Sequence, residues 1–174
     1  MNLLLENDAV RPYGCLMCMP PEIYKPHFIK FGKTAVFPSS IYTEPDDDSY
    51  GYETDPHVTL KYGWVPDLTK QNLAHILKGI KPFAVTLKAL NLFENEKFDV
   101  VKFEVKPNDA LLELRRKCDG FPNEDKYKDY KPHCTIAYVK KGTFPHKKEN
   151  LNIKFPISRF KYSGSDGKKL YINL

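Results

Sequence analysis

The chain has 174 residues, of which 41% are hydrophobic and 13% aromatic, so it can form one core but not several independent ones. We therefore predict a single domain over residues 1–174, with lobes of roughly 1–80 and 81–174. No apolar run approaches the roughly 20 residues needed to cross a bilayer. Four cysteines without a predicted export signal favour free thiols in a reducing compartment. We expect a cytoplasmic monomer with no membrane partner.

The net charge of +5 is distributed unevenly. Residues 140–174 contain nine basic and two acidic side chains, whereas residues 44–55 contain six acidic side chains and no basic one. A basic segment suits an anionic ligand, but solvated lysine is the more common explanation. Charge alone therefore does not assign a function.

Helix and strand patterns alternate along the chain, which predicts an α+β fold. In the proline-rich first third we predict a strand over 13–19 and a short helix over about 21–32, the latter only if Pro26 falls in its first turn. Apolar residues at helical spacing predict a helix over 67–80, and a second helix is predicted from a cap at 108 or 109 to an end near Gly120 and Pro122. Alternating residues predict strands, which we place at 83–88, 101–105, 157–162 and 170–174.

The most informative feature is an internal repeat. Residues 56–62 read Pro-His-Val-Thr-Leu-Lys-Tyr and residues 132–138 read Pro-His-Cys-Thr-Ile-Ala-Tyr. Chance placement of histidine and threonine would give roughly 0.2 His-x-Thr pairs in this chain. Two pairs with matching neighbours therefore indicate a duplicated element.

Each copy is expected to be a strand in which alternate residues point to opposite faces. His57 and Thr59 then share one face, as do His133 and Thr135. The opposite face is predicted to point to the core, with Val58, Leu60 and Tyr62 in the first copy and Cys134, Ile136 and Tyr138 in the second. If a pseudo-twofold axis relates the copies, both His/Thr pairs line one cleft.

These two motifs resemble the signature of the two-histidine phosphoesterases, also called the LigT-like or 2′,5′ RNA ligase-like family. The resemblance implies a bilobal, pseudo-symmetric α+β fold in which two antiparallel sheets form a central cleft with helices outside. It also implies a metal-independent phosphodiesterase, without a cofactor, that acts on cyclic phosphates or on 2′,5′- or 3′,5′-linked nucleotides. Some members destroy cyclic-nucleotide immune signals on behalf of viruses.

The residue types suit this chemistry. In-line cleavage of a phosphodiester needs a base for the nucleophile and an acid for the leaving oxygen, and histidine can be either near neutral pH. We therefore expect His57 and His133 to be catalytic. The hydroxyls of Thr59 and Thr135 can donate hydrogen bonds to the non-bridging phosphate oxygens. The sequence does not say which histidine is the base.

Three further residues are candidates for substrate binding. Lys61 is expected to follow Thr59 on the same strand face and to contact a phosphate, although Ala137 takes its place in the second copy. Trp64 and Tyr13 could stack on a base at the rim of the cleft, but both residue types are more often found in cores. Cys15 and Cys18 have CxxC spacing without a second pair, so no metal site is expected.

Two alternatives remain open at this point. One is a phosphodiesterase acting on RNA that ends in a 2′,3′-cyclic phosphate, and the other is a nucleotide-binding module without turnover. The modest net charge favours a small ligand over RNA. The expected partner is a small cyclic nucleotide or an oligonucleotide.

Overall fold

The computed structural model describes residues 13–45, 47, 49–125, 129–145 and 150–174, with Asn150 described in its backbone only. Within them lie eight strands, of which the first four are β1 (Gly14–Met19), β2 (Val58–Trp64), β3 (Phe83–Glu94) and β4 (Phe98–Lys106). The others are β5 (His133–Lys140), β6 (Asn150–Ile157), β7 (Arg159–Ser163) and β8 (Lys169–Asn173). Three α-helices accompany them: α1 (Lys25–Ala35), α2 (Lys70–Leu77) and α3 (Asp109–Asp119).

Local sequence explains where the helices begin. Pro26 lies in the first turn of α1, where its missing N–H would have had no helical partner. Thr69 and Asn72 cap α2 with reciprocal side-chain to backbone hydrogen bonds. Asn108 caps α3 by accepting a hydrogen bond from the backbone N–H of Leu111. Each predicted helix is therefore present, with bounds shifted by a few residues.

The strands form two antiparallel sheets of four. The first sheet has the order β2-β1-β7-β8, and the second has the order β5-β4-β3-β6. The α+β class predicted from the sequence is confirmed. Strand β6 was not predicted, although Leu151, Ile153, Phe155 and Ile157 recur at every second position, so this signal was missed.

The predicted lobe boundary near residue 80 does not separate the two sheets, because β7 and β8 return to the first sheet beside β1. Asp67, just after β2, holds this returning hairpin. Its carboxylate accepts hydrogen bonds from the Tyr162 hydroxyl at 2.9 Å and from the Ser165 backbone N–H at 2.9 Å. Such long-range pairing is not visible in a local pattern.

Two helices, α1 and α3, each follow a strand of one sheet and contact the other sheet. Helix α1 follows a strand of the first sheet but packs on the second, where Phe28 lies 6.0 Å from Phe103 and 5.6 Å from Phe155 between ring centroids. Helix α3 follows a strand of the second sheet but contacts β2 of the first. Because of this exchange, one continuous cluster of buried apolar residues includes both sheets.

Candidate functional site

The two repeat copies form most of β2 and β5, and each of these strands lies at one end of the strand order of its sheet. These two strands contact each other. The site is therefore built where the two sheets meet, with one His/Thr motif contributed by each sheet. This is the arrangement expected of a duplicated element related by pseudo-twofold symmetry.

The segments that precede the two motifs are exchanged between the sheets. Before the first motif, the backbone N–H of Glu53 donates to Ile136 O at 2.9 Å, and Gly51 O accepts from Tyr138 N–H at 2.8 Å. Before the second motif, the Tyr130 hydroxyl donates to Thr59 O at 3.2 Å. Each motif strand is thus bordered by the chain that leads into the other motif, which brings the two copies together.

Both motif histidines are anchored in the same way. His57 Nδ1 lies 2.7 Å from the carbonyl oxygen of Asp55, and His133 Nδ1 lies 2.9 Å from that of Lys131. A carbonyl oxygen can only accept a hydrogen bond, so Nδ1 carries the proton in both rings. The Nε2 atom of each ring is then the atom that can take or give a proton.

The surroundings of the two copies differ in exposure. His57 is 2% exposed, whereas His133 is only half-buried. The threonines show the opposite arrangement, since Thr59 is half-buried and Thr135 is 2% exposed. The repeat is therefore symmetric in its backbone and anchors but not in its access to solvent.

A β-bulge interrupts each motif strand just after its threonine. In the first sheet Met17 lies opposite Thr59, but the register shifts before Leu16 meets Lys61 and Cys15 meets Tyr62. In the second sheet the register likewise shifts between Thr135, opposite Lys102, and Ala137, opposite Val101. A bulge adds one residue to a strand and so reverses the faces of all the residues that follow it.

The bulges correct the predicted faces of both tyrosines. Tyr62 packs with Cys15, Met17 and Met19, and Tyr138 packs with Phe98 and Val100, in two clusters separate from the main core. The tyrosines therefore lie on the same faces as Thr59 and Thr135. Simple alternation placed them on the opposite face because it assumes an unbroken strand.

Lys61 is placed on the core face by the first bulge, so the expectation that it shares a face with Thr59 is wrong. Its ammonium lies 2.7 Å from a carboxylate oxygen of Asp119 and 3.0 Å from one of Asp125. Arg115 of α3 pairs with Asp125 at 2.9 Å and donates to the carbonyl oxygen of Leu60 at 3.1 Å. These contacts join α3 to β2, and they account for Lys61 without a substrate.

A polar cluster on the second sheet was not recognised as part of the site from the sequence. Lys102 lies opposite Thr135, and Glu104 lies opposite His133, so all four share one face. Glu104 also accepts a hydrogen bond from Asn91 of β3. The available signal was the alternation of Lys102 and Glu104 with apolar residues along β4, but nothing in that pattern says which strand β4 borders.

Asp55 links the His57 anchor to two lysines. Its carboxylate accepts hydrogen bonds from Lys161 of β7 and, at 2.8 Å, from Lys25 of α1. Partial burial acts to raise the pKa of Asp55, but the two lysines outweigh it and lower the pKa to about 2. The carboxylate is therefore charged at neutral pH, and its ion pairs hold the residue whose carbonyl orients His57.

Comparison with known proteins identifies the family. Residues 29–161 match the family model described as the 2'-5' RNA ligase superfamily. The chain belongs to this superfamily. It is therefore a two-histidine phosphoesterase by family, as the repeat predicted. A comparison with curated protein sequences gives no match.

Solved structures show the same fold at low sequence identity. Escherichia coli LigT complexed with 3'-AMP is 14% identical with a TM-score of 0.62, and the alignment covers 94% of this chain and 95% of that one. The protein TT0787 of Thermus thermophilus is 18% identical with a TM-score of 0.59, covering 93% and 94%. Kluyveromyces marxianus Usb1 is 9% identical with a TM-score of 0.62, covering 95% and 99%. The predicted two-sheet phosphoesterase fold is confirmed.

The remaining candidates of this phosphoesterase lie in different environments. Trp64 is fully buried and packs with Tyr162 at 6.1 Å between ring centroids, so it is a core residue and not a rim residue. Tyr13 is half-buried, with its ring 6.2 Å from that of Tyr62 in an edge-on arrangement. Its hydroxyl donates to Glu124 at 3.1 Å. Tyr13 therefore borders the motif face of the first sheet and stays a candidate for base stacking.

Two further observations concern metal binding and membrane-spanning helices. In the parts of the chain that the structure describes, no group of three or more His, Cys, Asp or Glu side chains is arranged to hold a metal ion. Among those same residues, no helix is both long and apolar enough to span a membrane.

Proposed function

We propose that this enzyme cleaves a nucleotide phosphodiester by general acid-base catalysis, with His57 and His133 as the proton-transfer groups. The observation that carries the proposal is the duplicated anchor, in which each Nδ1 bonds the carbonyl oxygen two residues earlier. Both rings are thereby held with Nε2 as the reactive atom. Thr59 and Thr135 follow on the motif strands, where their hydroxyls can donate to the phosphate.

The reaction divides its two proton transfers between the rings. Nε2 of the neutral histidine removes a proton from water or from a ribose 2′-hydroxyl as that oxygen forms its bond to phosphorus. Nε2–H of the other, protonated histidine gives its proton to the departing oxygen as the second P–O bond breaks. Negative charge on the non-bridging oxygens rises in the transition state, where the two threonine hydroxyls stabilise it.

For the substrate, we propose a cyclic nucleotide or a 2′,5′- or 3′,5′-linked oligonucleotide. Related structures support a nucleotide, since LigT is described with 3'-AMP and Usb1 with uridine monophosphate. A cyclic-nucleotide immune signal and RNA with a 2′,3′-cyclic phosphate are the specific members to compare. The four buried, free cysteines suit the reducing cytoplasm that we propose as the compartment.

The first test is substitution of the motif residues. His57→Ala and His133→Ala should each lower kcat by about 10² to 10⁴, and Thr59→Ala or Thr135→Ala by about 10² to 10³. His27→Ala, at an exposed position on α1, is the matched control and should leave kcat unchanged. Turnover within threefold of wild type for either motif histidine variant would refute the assignment.

The second test is a substrate panel assayed with and without EDTA. It includes cyclic mononucleotides, cyclic di- and trinucleotides, 2′,5′-oligoadenylate and RNA ending in a 2′,3′-cyclic phosphate. We expect product to accumulate at the same rate in EDTA, because histidines and threonines supply all the groups in the proposed mechanism. Tight binding of an intact ligand without product would instead indicate a nucleotide-binding module.

A further inference from the structure

The structure assigns a further catalytic residue to this site: we propose that the Lys102 ammonium binds the non-bridging phosphate oxygens beside Thr135 and stabilises their charge in the transition state. The proposal rests on the function proposed above. Lys102 belongs to β4 and lies directly opposite Thr135 of β5. In an antiparallel pair, opposite side chains lie on the same face and close together.

The surroundings of Lys102 keep its ammonium near His133. Lys102 Nζ lies 4.1 Å from the centroid of the Phe93 ring, and the same ring meets the His133 imidazole edge-on with 4.8 Å between centroids. One aromatic side chain therefore contacts both the cation and the histidine. A phosphate that reaches His133 and Thr135 is then within reach of Lys102 as well.

Burial strengthens the electrostatic effect of this lysine. The Lys102 side chain is only 5% exposed, and an ammonium removed from water interacts more strongly with a nearby anion. Lys102 Nζ lies 4.0 Å from a carboxylate oxygen of Glu104, and this ion pair offsets part of the free-energy cost of burying the ammonium. Asn91 holds the same carboxylate by donating a hydrogen bond to it. A substrate phosphate would supply further compensating charge.

Among the residues that the structure describes, the first sheet has no lysine opposite Thr59, so the proposed contact belongs to one half of the site. Met17 lies opposite Thr59 at the position that corresponds to Lys102. Two lysines of that sheet are buried: Lys161, opposite Met17, pairs with Asp55, and Lys61 pairs with Asp119 and Asp125. We therefore infer that the second sheet holds the phosphate charge more tightly than the first.

The test measures phosphate recognition separately from turnover. By titration calorimetry, Lys102→Met should weaken binding of adenosine 3′-monophosphate by about tenfold to a hundredfold, the range for one charge-assisted hydrogen bond. Binding of adenosine, which lacks the phosphate, should not change. Lys102→Arg should stay within about threefold of wild type, since it keeps the charge. Lys106→Met, at the exposed end of the same strand, is the matched control and should have no effect.

A second variant covers the case in which Lys102→Met does not fold. Glu104→Gln removes the neighbouring negative charge while keeping the side-chain shape, and it should tighten binding of adenosine 3′-monophosphate by a fewfold. An unchanged affinity for this nucleotide in Lys102→Met, or an unchanged or weaker one in Glu104→Gln, would overturn the role of Lys102. If wild type binds the nucleotide through Lys102 but cleaves no member of the panel, the proposed function fails while this contact stands.

Discussion

The two motif histidines make equivalent hydrogen bonds, but the residues that accept those bonds differ in their side-chain contacts. Asp55 and Lys131 offer equivalent carbonyl oxygens to the two histidines. The Asp55 side chain is tied to Lys25 and Lys161, whereas Lys131 is exposed. The backbone at the first anchor is therefore held by two ion pairs that depend on the charge of one carboxylate.

This arrangement predicts a pH dependence of stability. Asp55→Asn should lower the free energy of unfolding at pH 7 by about 1 kcal/mol, because partial solvent exposure screens the two ion pairs. The pKa of Asp55 is lowered in the folded protein, from 3.8 to about 2. Its contribution is thus fully present above about pH 4 and is lost as the pH falls toward 2.

The measurement is urea denaturation of wild type and Asp55→Asn between pH 7 and pH 2. The difference between the two proteins should shrink over the last two pH units. Asp129→Asn, which alters an exposed carboxylate, serves as the control and should differ little from wild type throughout. A difference for Asp55→Asn that persists at pH 2 would show that the ion pairs are not its cause.

At the level of elements, the bulges in β2 and β5 determine which side chains reach the site. The carbonyl of the residue after each threonine is satisfied from outside its own sheet ladder. Arg115 of α3 donates to Leu60 O, and the backbone N–H of Glu53 donates to Ile136 O. Each bulge is thus stabilised by an element that arrives from the other half of the repeat.

Arg115 is the side chain whose loss should report this support. Arg115→Met should lower the free energy of unfolding by about 2 kcal/mol, because it removes a hydrogen bond to Leu60 O and one of two cations near Asp125. The Asp125 side chain is only 1% exposed, so water cannot replace the lost partner. Lys61 remains paired with Asp125 and limits the loss.

Urea denaturation at pH 7 checks this expectation. Arg116→Met alters the next residue of the same helix, which is exposed, and should change stability by less than about 0.5 kcal/mol. Equal stabilities for the two variants would mean that Arg115 does not support the bulge energetically.

At the level of the whole molecule, exchange of helices and loops joins the two sheets into one unit. Helix α1 connects two strands of the first sheet but packs on the second. The last two strands, β7 and β8, belong to the first sheet, although all four strands of the second sheet lie between β2 and β7 in the sequence. Neither sheet can therefore bury its apolar face without chain from the other half.

We predict one cooperative unfolding transition for this reason. The single tryptophan, Trp64, is the buried last residue of β2 in the first sheet, so its fluorescence reports that sheet, whereas far-UV circular dichroism reports both. The two signals should change at the same urea concentration. Separate midpoints would show that the sheets unfold independently and would contradict the single-domain prediction.

The sequence by itself determined the α+β class, the approximate helices and the duplicated His-x-Thr motif, because each depends on local periodicity or on a repeated short motif. It did not determine the faces of Tyr62, Tyr138 and Lys61, since one bulged residue reverses every face after it. Nor did it show that β7 and β8 join the first sheet or that Lys102 lies beside Thr135. Those placements depend on pairing between distant strands, and only the tertiary structure decides them, because a strand's own sequence does not specify its neighbours.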